Sequence, residues 1–145
     1  MKRHWLMVLT AGLLLGVGAT PAGSKSDQEQ ILGTWKVISV EVRGESFAEK
    51  TKGLRVVFTK DKMEFKDGDK SDGEFAYKLD PTRKPKWIDL APLGKDGKPD
   101  KTALGIYALE GDDLKICHPD PGKDRPTAFQ SKPASILFIL KRDKP

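Results

Sequence analysis

Apolar residues along this chain alternate with polar ones in short runs, separated by glycine, proline and aspartate. Residues 74–79 show this well, because Phe75, Tyr77 and Leu79 alternate with polar or small neighbours. A period of two is typical of a β-strand with one buried face. Strand-like segments of this kind occur at residues 34–42, 54–59, 62–66, 74–79, 87–90, 102–109, 114–117 and 135–141.

The segments between these predicted strands leave little room for helices. Asp67-Gly68 predicts a tight hairpin turn, because glycine readily takes the positive φ that such turns require. Residues 47–52 are compatible with one or two helical turns, and residues 23–30 with a linker or a short helical turn. Short strands joined mainly by short turns favour an antiparallel meander over a doubly wound sheet.

About eight strands are enough to close a sheet into a barrel, which removes exposed strand edges. We therefore predict an all-β fold: an eight-stranded antiparallel up-and-down barrel with at most a short helix. A β-sandwich of two sheets fits the strand count nearly as well and is the alternative.

The first 22 residues have the features of a secretory signal peptide. Lys2 and Arg3 precede an apolar run over residues 5–18, and small residues follow it. This run is shorter than the roughly 20 residues that cross a bilayer as a helix. We predict residues 1–22 as a cleaved signal peptide and 23–145 as one exported domain, periplasmic or extracellular, with no membrane span after cleavage.

Charge and cysteine content exclude some functions. The chain has 26 Lys and Arg and 21 Asp and Glu, a net charge of +5. Nucleic-acid-binding proteins concentrate basic residues on one face, whereas here they are interleaved with aspartate, so we predict no nucleic-acid partner. Cys117 is the single cysteine, so no intrachain disulfide forms, and we expect it to be buried as a small apolar residue.

The sequence shows no set of residues suited to catalysis or metal binding. Ser46 lies in a near match to the Gly-x-Ser-x-Gly elbow, which needs a strand-to-helix turn in a parallel sheet. Cys117 and His118 are adjacent, and neighbours on a strand point to opposite faces; we expect His118 in a surface loop. A structural zinc site needs four nitrogen or sulfur ligands, and residues 23–145 contain one His and one Cys. We predict a protein that is not an enzyme and has no metal or cofactor.

Gly33-x-Trp35 at the start of the first strand resembles the lipocalin signature. The resemblance implies that Trp35 packs across the closed end of a barrel, beneath a basic residue from the last strand. Lys141 and Arg142 end the last predicted strand and are placed to supply a cation over the ring. We predict Gly33, Trp35 and Arg142 as residues that close the barrel.

Further short runs accompany this signature in a fixed order along the chain. They are Leu32-Gly-Thr-Trp-Lys-Val, Gly53-Leu-Arg-Val-Val-Phe, Tyr77-Lys-Leu-Asp-Pro, Trp87-Ile-Asp-Leu, Ala103-Leu-Gly-Ile-Tyr, Leu114-Lys-Ile-Cys, Pro121-Gly-Lys-Asp-Arg-Pro-Thr-Ala-Phe129 and Ser131-Lys-Pro133. Together they resemble a family of exported lipocalin-like domains of uncharacterised function that is typical of planctomycete bacteria. The resemblance covers almost all of residues 23–145 and implies the barrel fold. It implies no activity, ligand or catalytic residue.

Aromatic residues on the predicted strands are numerous enough to line a cavity, which suggests a small apolar ligand inside the barrel. The same aromatic residues would equally well fill a solid core. Arg125, in the long irregular segment before the last strand, either faces this ligand or pins the segment to the barrel. The predicted ligand-binding residues are Phe58, Tyr77, Tyr107, Arg125 and Phe138.

The alternative function is a protein-interaction or inhibitory module of the cell envelope, with no small-molecule ligand. If Trp35 faces inward, strict alternation turns Ile38, Val40 and Val42 outward. Such an apolar outer face needs cover from a helix, a loop or a partner protein.

Overall fold

The strands of this chain form one antiparallel sheet that closes on itself. The computed structural model describes residues 25–144. Its strands are β1 (Gly33–Val42), β2 (Glu45–Ser46), β3 (Leu54–Phe58), β4 (Lys62–Asp67), β5 (Lys70–Asp80), β6 (Lys86–Pro92), β7 (Ala103–Glu110), β8 (Asp113–Pro119) and β9 (Ser135–Arg142). Successive strands from β3 to β9 are neighbours, and β1 pairs with both β3 and β9. The predicted eight-stranded barrel is confirmed, the sandwich is wrong, and β2 is an additional short strand beside β1.

Helical structure within residues 25–144 is limited to two short segments. The helix α1 (Asp27–Gln30) begins after Ser26, whose hydroxyl accepts a hydrogen bond from the backbone N–H of Glu29 at 3.3 Å. This is the usual N-cap arrangement. The region 47–52 contains only a 3-10 turn, Glu49–Thr51. No helix among the described residues is long and apolar enough to cross a membrane, and the predicted signal peptide lies outside these residues.

The β4–β5 hairpin forms where Asp67-Gly68 predicts it. Asp67 pairs with Lys70 across a two-residue turn, and Gly68 has a φ of +63°. Such a φ is costly for residues with a Cβ, whereas glycine takes it freely. The tight turn lets β5 begin at Lys70, four residues before the alternating pattern at 74–79 becomes visible.

The outward orientation expected for Val40 and Val42 is wrong because β1 contains a β-bulge. Val37 pairs with Leu140 and Ser39 pairs with Ile139, so Ile38 is an extra residue without a partner. A bulge of this kind shifts the alternation by one position. Val40 therefore packs against the barrel core, and Val42 lies on the same side of the strand. Ile38 stays outside, with 47% of its surface exposed.

The two rims of the barrel differ in what covers them. The closed end is the rim formed by the start of β1 and the end of β9, where α1 packs and Ile31 is fully buried. The open end is the opposite rim, from which the loops 93–102 and 120–134 extend.

The barrel interior is filled by apolar side chains. Trp35, Phe58 and Tyr107 are each at most 2% exposed and belong to one continuous core cluster. The space that the core side chains leave between Val56, Leu90 and Leu140 has a volume of about 10 Å³. That is about the space of one water molecule. The aromatic residues therefore form a packed core along most of the barrel, the arrangement that the sequence left open.

A second, smaller cluster lies on the outer wall beneath the loop 120–134. Its buried members are Ile106, Cys117 and Leu137. Cys117 is fully buried, and its thiol donates to the carbonyl of Gln130 at 3.4 Å. Burial also raises the pKa of this thiol, so Cys117 behaves as the small apolar residue that the sequence indicated.

Candidate functional site at the open end of the barrel

The closed end is sealed by stacking and backbone hydrogen bonds. The guanidinium carbon of Arg142 lies 4.3 Å from the ring centroid of Trp35, a cation–π distance. Arg142 also donates to the carbonyl of Leu32 at 3.1 Å, and the Trp35 indole donates to the carbonyl of Ile31 at 2.9 Å. Gly33 has a φ of +112° at this turn, which favours glycine. All three predicted barrel-closing residues thus lie together at one rim.

Two predicted ligand residues, Tyr77 and Tyr107, are part of this seal. The Tyr107 hydroxyl donates to the carboxylate of Asp27 on α1 at 2.7 Å. Burial and that carboxylate raise the pKa of Tyr107. The Tyr77 hydroxyl donates to the carbonyl of Thr59 at 2.6 Å and accepts from the Gln28 amide at 2.8 Å. Both hydroxyl protons are therefore engaged, and the two side chains tie α1 and the closed end to the barrel.

Phe58 lies beside these tyrosines in the core. Its ring meets that of Tyr77 edge to face, with centroids 5.2 Å apart. Such contacts add to the stability gained from burial. Because Phe58 is only 2% exposed, its observed role is packing.

Arg125 lies on the outside of the barrel, apart from the other predicted ligand residues. Its guanidinium donates to the carbonyl of Gly105 at 2.6 Å and to the carboxylate of Asp89 at 2.8 Å. The same group stacks 4.2 Å from the ring centroid of Trp87. Arg125 thus fastens the loop 120–134 to β6 and β7, one of the two roles considered for it.

The open end presents a group of half-buried aromatic side chains. The Phe65 ring lies 5.7 Å from Phe75 and 5.4 Å from Phe138, measured between centroids. The His118 imidazole stacks on Phe138 at 5.8 Å with only 13° between the planes. We call these four residues the mouth cluster. Its phenylalanines pack against the core below and are partly exposed above.

Of the mouth cluster, only Phe138 is among the predicted ligand-binding residues. Phe65 and Phe75 alternate with polar residues on two strands joined by a predicted hairpin, and that pattern places them on the same face. The alternation therefore indicates that Phe65 and Phe75 lie close together. The proline after His118 indicates the end of the strand, so the sequence places His118 in a loop outside the barrel.

The expectation that His118 lies in a surface loop is wrong. β8 continues through Pro119, which pairs with Ser135 at the end of the strand. His118 points into the barrel, whereas Cys117 points to the outer cluster, so the two side chains form no dyad. Burial lowers the pKa of His118, outweighing its hydrogen bond and the nearby charge of Asp120.

The hydrogen bonding of His118 defines its tautomer. Nδ1 lies 3.0 Å from the carbonyl oxygen of Pro119. A carbonyl oxygen can only accept, so Nδ1 carries the proton in the neutral ring and Nε2 carries a lone pair. The mouth cluster therefore contains one hydrogen-bond acceptor among apolar rings.

Two larger clefts lie on the outer wall, with volumes of about 330 and 320 Å³. The cationic groups lining them are partly neutralised already. Arg125 in the first is paired with Asp89, and in the second Arg83 is paired with Asp80 at 3.3 Å and Lys86 with Asp27 at 2.7 Å. These pairs secure loops and α1 to the barrel.

Within residues 25–144 no three His, Cys, Asp or Glu side chains converge on a common point. Comparison of the chain with protein-family models, curated proteins and solved structures found no match. The site is therefore interpreted from its own geometry.

Proposed function

We propose that this protein is an exported barrel domain that binds a small apolar molecule at its open end and catalyses no reaction. The observation that carries this proposal is the mouth cluster, where three phenylalanine rings gather at one rim and stay partly exposed. Ligand sites are commonly apolar and aromatic with few polar groups. The closed end, by contrast, has its aromatic side chains buried and its hydroxyls occupied.

The site in this proposal is the rim of the barrel and not its interior. An internal space of about 10 Å³ is far below the roughly 300 Å³ at which ligand pockets begin. A single-ring molecule seated on Phe65, Phe75 and Phe138 would remove water from their exposed faces. Removing apolar surface from water contributes about 25 cal/mol per Å².

Toluene is a suitable probe because it has no hydrogen-bonding group. A titration followed by ¹⁵N–¹H correlation spectra should shift amide signals in the open-end halves of β4, β5 and β9. Phe138→Ser should weaken toluene binding by about tenfold, since contacts between aromatic rings contribute about 0.5–1.5 kcal/mol beyond burial. A single-site binding curve would supply the affinity.

Phe129→Ser is the matched control for this substitution. Phe129 is also a half-buried phenylalanine, but it packs against the outer cluster beneath the loop 120–134. Toluene binding should be the same in this variant as in the unmodified protein. An equal loss in both variants, shifts confined to the closed end, or no shifts at all would contradict the proposal.

A further inference from the structure

We infer that the ligand of the open end is a neutral molecule with a hydrogen-bond donor, such as a phenol or an alcohol, and that Nε2 of His118 accepts its hydrogen bond. This inference rests on the proposed function and adds the chemical class of the ligand. It follows from the position, tautomer and surroundings of one side chain.

The two ring nitrogens of His118 differ in their hydrogen bonding. Nδ1 is the ring nitrogen next to the carbon that joins the ring to Cβ, and it is hydrogen-bonded to the Pro119 carbonyl. Nε2 lies on the far side of the ring, away from that carbonyl. Within residues 25–144 no protein group bonds to Nε2, and burial disfavours the protonated ring. At neutral pH this atom is an acceptor without a protein donor.

The imidazole of His118 has apolar surroundings. His118 lines the small internal space at the mouth, and every other residue that lines it is apolar. These are Val56, Met63, Phe65, Leu90, Ile116, Phe138 and Leu140. Among the described residues no buried side-chain nitrogen or oxygen lacks a hydrogen-bond partner, so Nε2 is open to water in the free protein. A ligand seated on the mouth cluster would cover it, and removing an unpaired polar atom from water costs free energy, so a ligand with a hydrogen-bond donor is favoured.

The uncharged surroundings of His118 disfavour a charged ligand. The residues facing His118 from β3, β4, β6 and β9 carry no charge, and the charged group that acts on it is Asp120, on its own segment. A carboxylate ligand would find no cation here, and burying an unpaired charge is more costly than burying a hydroxyl. A hydrocarbon would bind but leave Nε2 unpaired. The donor-bearing neutral molecule satisfies both conditions.

The test compares three molecules with the same methylphenyl group: toluene, p-cresol and 4-methylbenzoate. At pH 7.5 they are apolar, a neutral donor and an anion, respectively. The unmodified protein should bind p-cresol about 3- to 10-fold more tightly than toluene, as expected for one net hydrogen bond. It should bind 4-methylbenzoate more weakly than toluene.

A substitution and a spectroscopic signal assign the preference to Nε2. His118→Phe keeps a ring against Phe138 and removes the acceptor, so it should retain toluene binding and lose the preference for p-cresol. In unmodified protein labelled with ¹⁵N-histidine, p-cresol should move the Nε2 resonance upfield and toluene should not. This second measurement needs no variant.

The outcomes separate this inference from the proposed function. If toluene and p-cresol both fail to bind, the proposed function is wrong and the inference with it. If both bind with equal affinity, or if His118→Phe keeps the preference for p-cresol, the apolar site stands and the role of His118 is overturned. Tighter binding of 4-methylbenzoate than of p-cresol also overturns it.

Discussion

His118 illustrates how the surroundings of one residue decide its chemistry. A histidine exposed in a loop would exchange protons near neutral pH and act as a general base or a metal ligand. Here the half-buried ring stacks on Phe138, its Nδ1 proton is bound by the Pro119 carbonyl, and its pKa is lowered. The same side chain becomes a neutral acceptor in an apolar site. The proposed ligand binding at the open end uses this acceptor.

The lowered pKa of His118 predicts a specific dependence of stability on pH. In the unfolded chain the imidazole protonates near pH 6.5, whereas in the folded barrel it does so only at lower pH. Between these two pKa values the unfolded state binds more protons, so the free energy of unfolding falls as the pH drops below about 6.5. Urea unfolding between pH 7.5 and 5 measures this.

His118→Phe is the reference for that measurement. The variant lacks the titrating group, so its free energy of unfolding should change less over the same pH range. The carboxyl groups of Asp112 and Asp143, whose pKa values are lowered by neighbouring cations, lose their contribution only below about pH 4. Parallel pH curves for the two proteins would show that His118 is not protonated differently on folding.

Tyr107 belongs to the closed end, and its substitution should affect stability but not binding. Tyr107→Phe removes the hydroxyl that donates to Asp27 while Lys86 continues to pair with that carboxylate. The loss of a hydrogen bond to a charged group should lower the free energy of unfolding by about 1.5–3 kcal/mol. Urea unfolding measures the loss, and toluene affinity should stay constant. A weaker toluene affinity would place the ligand at the closed end instead.

At the scale of elements, alternation in the sequence predicted every barrel strand but not the course of β1. The pattern of residues 34–42 contains no glycine or proline to mark an interruption, so strict alternation was the natural reading. The bulge at Ile38 arises from pairing with β9, which a single strand does not encode. The neighbouring contact of Trp35 with Arg142 was expected from the resemblance of Gly33-x-Trp35 to the lipocalin signature, which implies a basic residue of the last strand over the ring.

The bulge predicts that one deletion within β1 is tolerated and another is not. Removing Ile38 places Val37 next to Ser39, whose partners Leu140 and Ile139 are already consecutive. The inward and outward sides of every other residue are preserved. Removing Lys36 instead turns either Trp35 or Val37 away from the core, since a one-residue shift reverses all following side chains.

Circular dichroism and urea unfolding distinguish these two deletions. The deletion of Ile38 should keep a cooperative transition, with a loss of about 1–2 kcal/mol, within the usual range for a single change. The deletion of Lys36 should abolish the transition, since it expels a fully buried tryptophan or a buried valine. Equal effects of the two deletions would refute the bulge.

At the scale of the whole molecule, the barrel has two apolar clusters that are separated by its own wall. The inner cluster fills the barrel, and the outer one lies between the wall and the loop 120–134. Alternation predicted the burial of Cys117 but not the rest of the outer cluster, because Ile106 and Leu137 occupy positions whose outward direction normally means exposure. The sequence also left two roles open for Arg125. The fold resolves both points, since the loop needs fastening and Arg125 bonds to the wall.

Fastening by Arg125 predicts how quickly Cys117 reacts with thiol reagents. The thiol is buried under the loop and bonded to Gln130, so reaction requires local opening of the loop. Arg125→Gln removes the charged partner of Asp89 and the stacking on Trp87. With about 1–2 kcal/mol less holding the loop, labelling of Cys117 by dithionitrobenzoate should accelerate about 5- to 30-fold.

Arg83→Gln provides the matched control, because Arg83 also stacks on Trp87 at 4.2 Å but belongs to the turn between β5 and β6. That turn does not cover Cys117, so the labelling rate should be the same as in the unmodified protein. Both rates are measured at pH 8 without denaturant, so that only local opening of the loop contributes to labelling. If Arg125→Gln labels no faster than Arg83→Gln, the loop is held by its apolar contacts and not by the arginine. The packing of Phe129 against the outer cluster would then be what secures the loop on this side of the barrel.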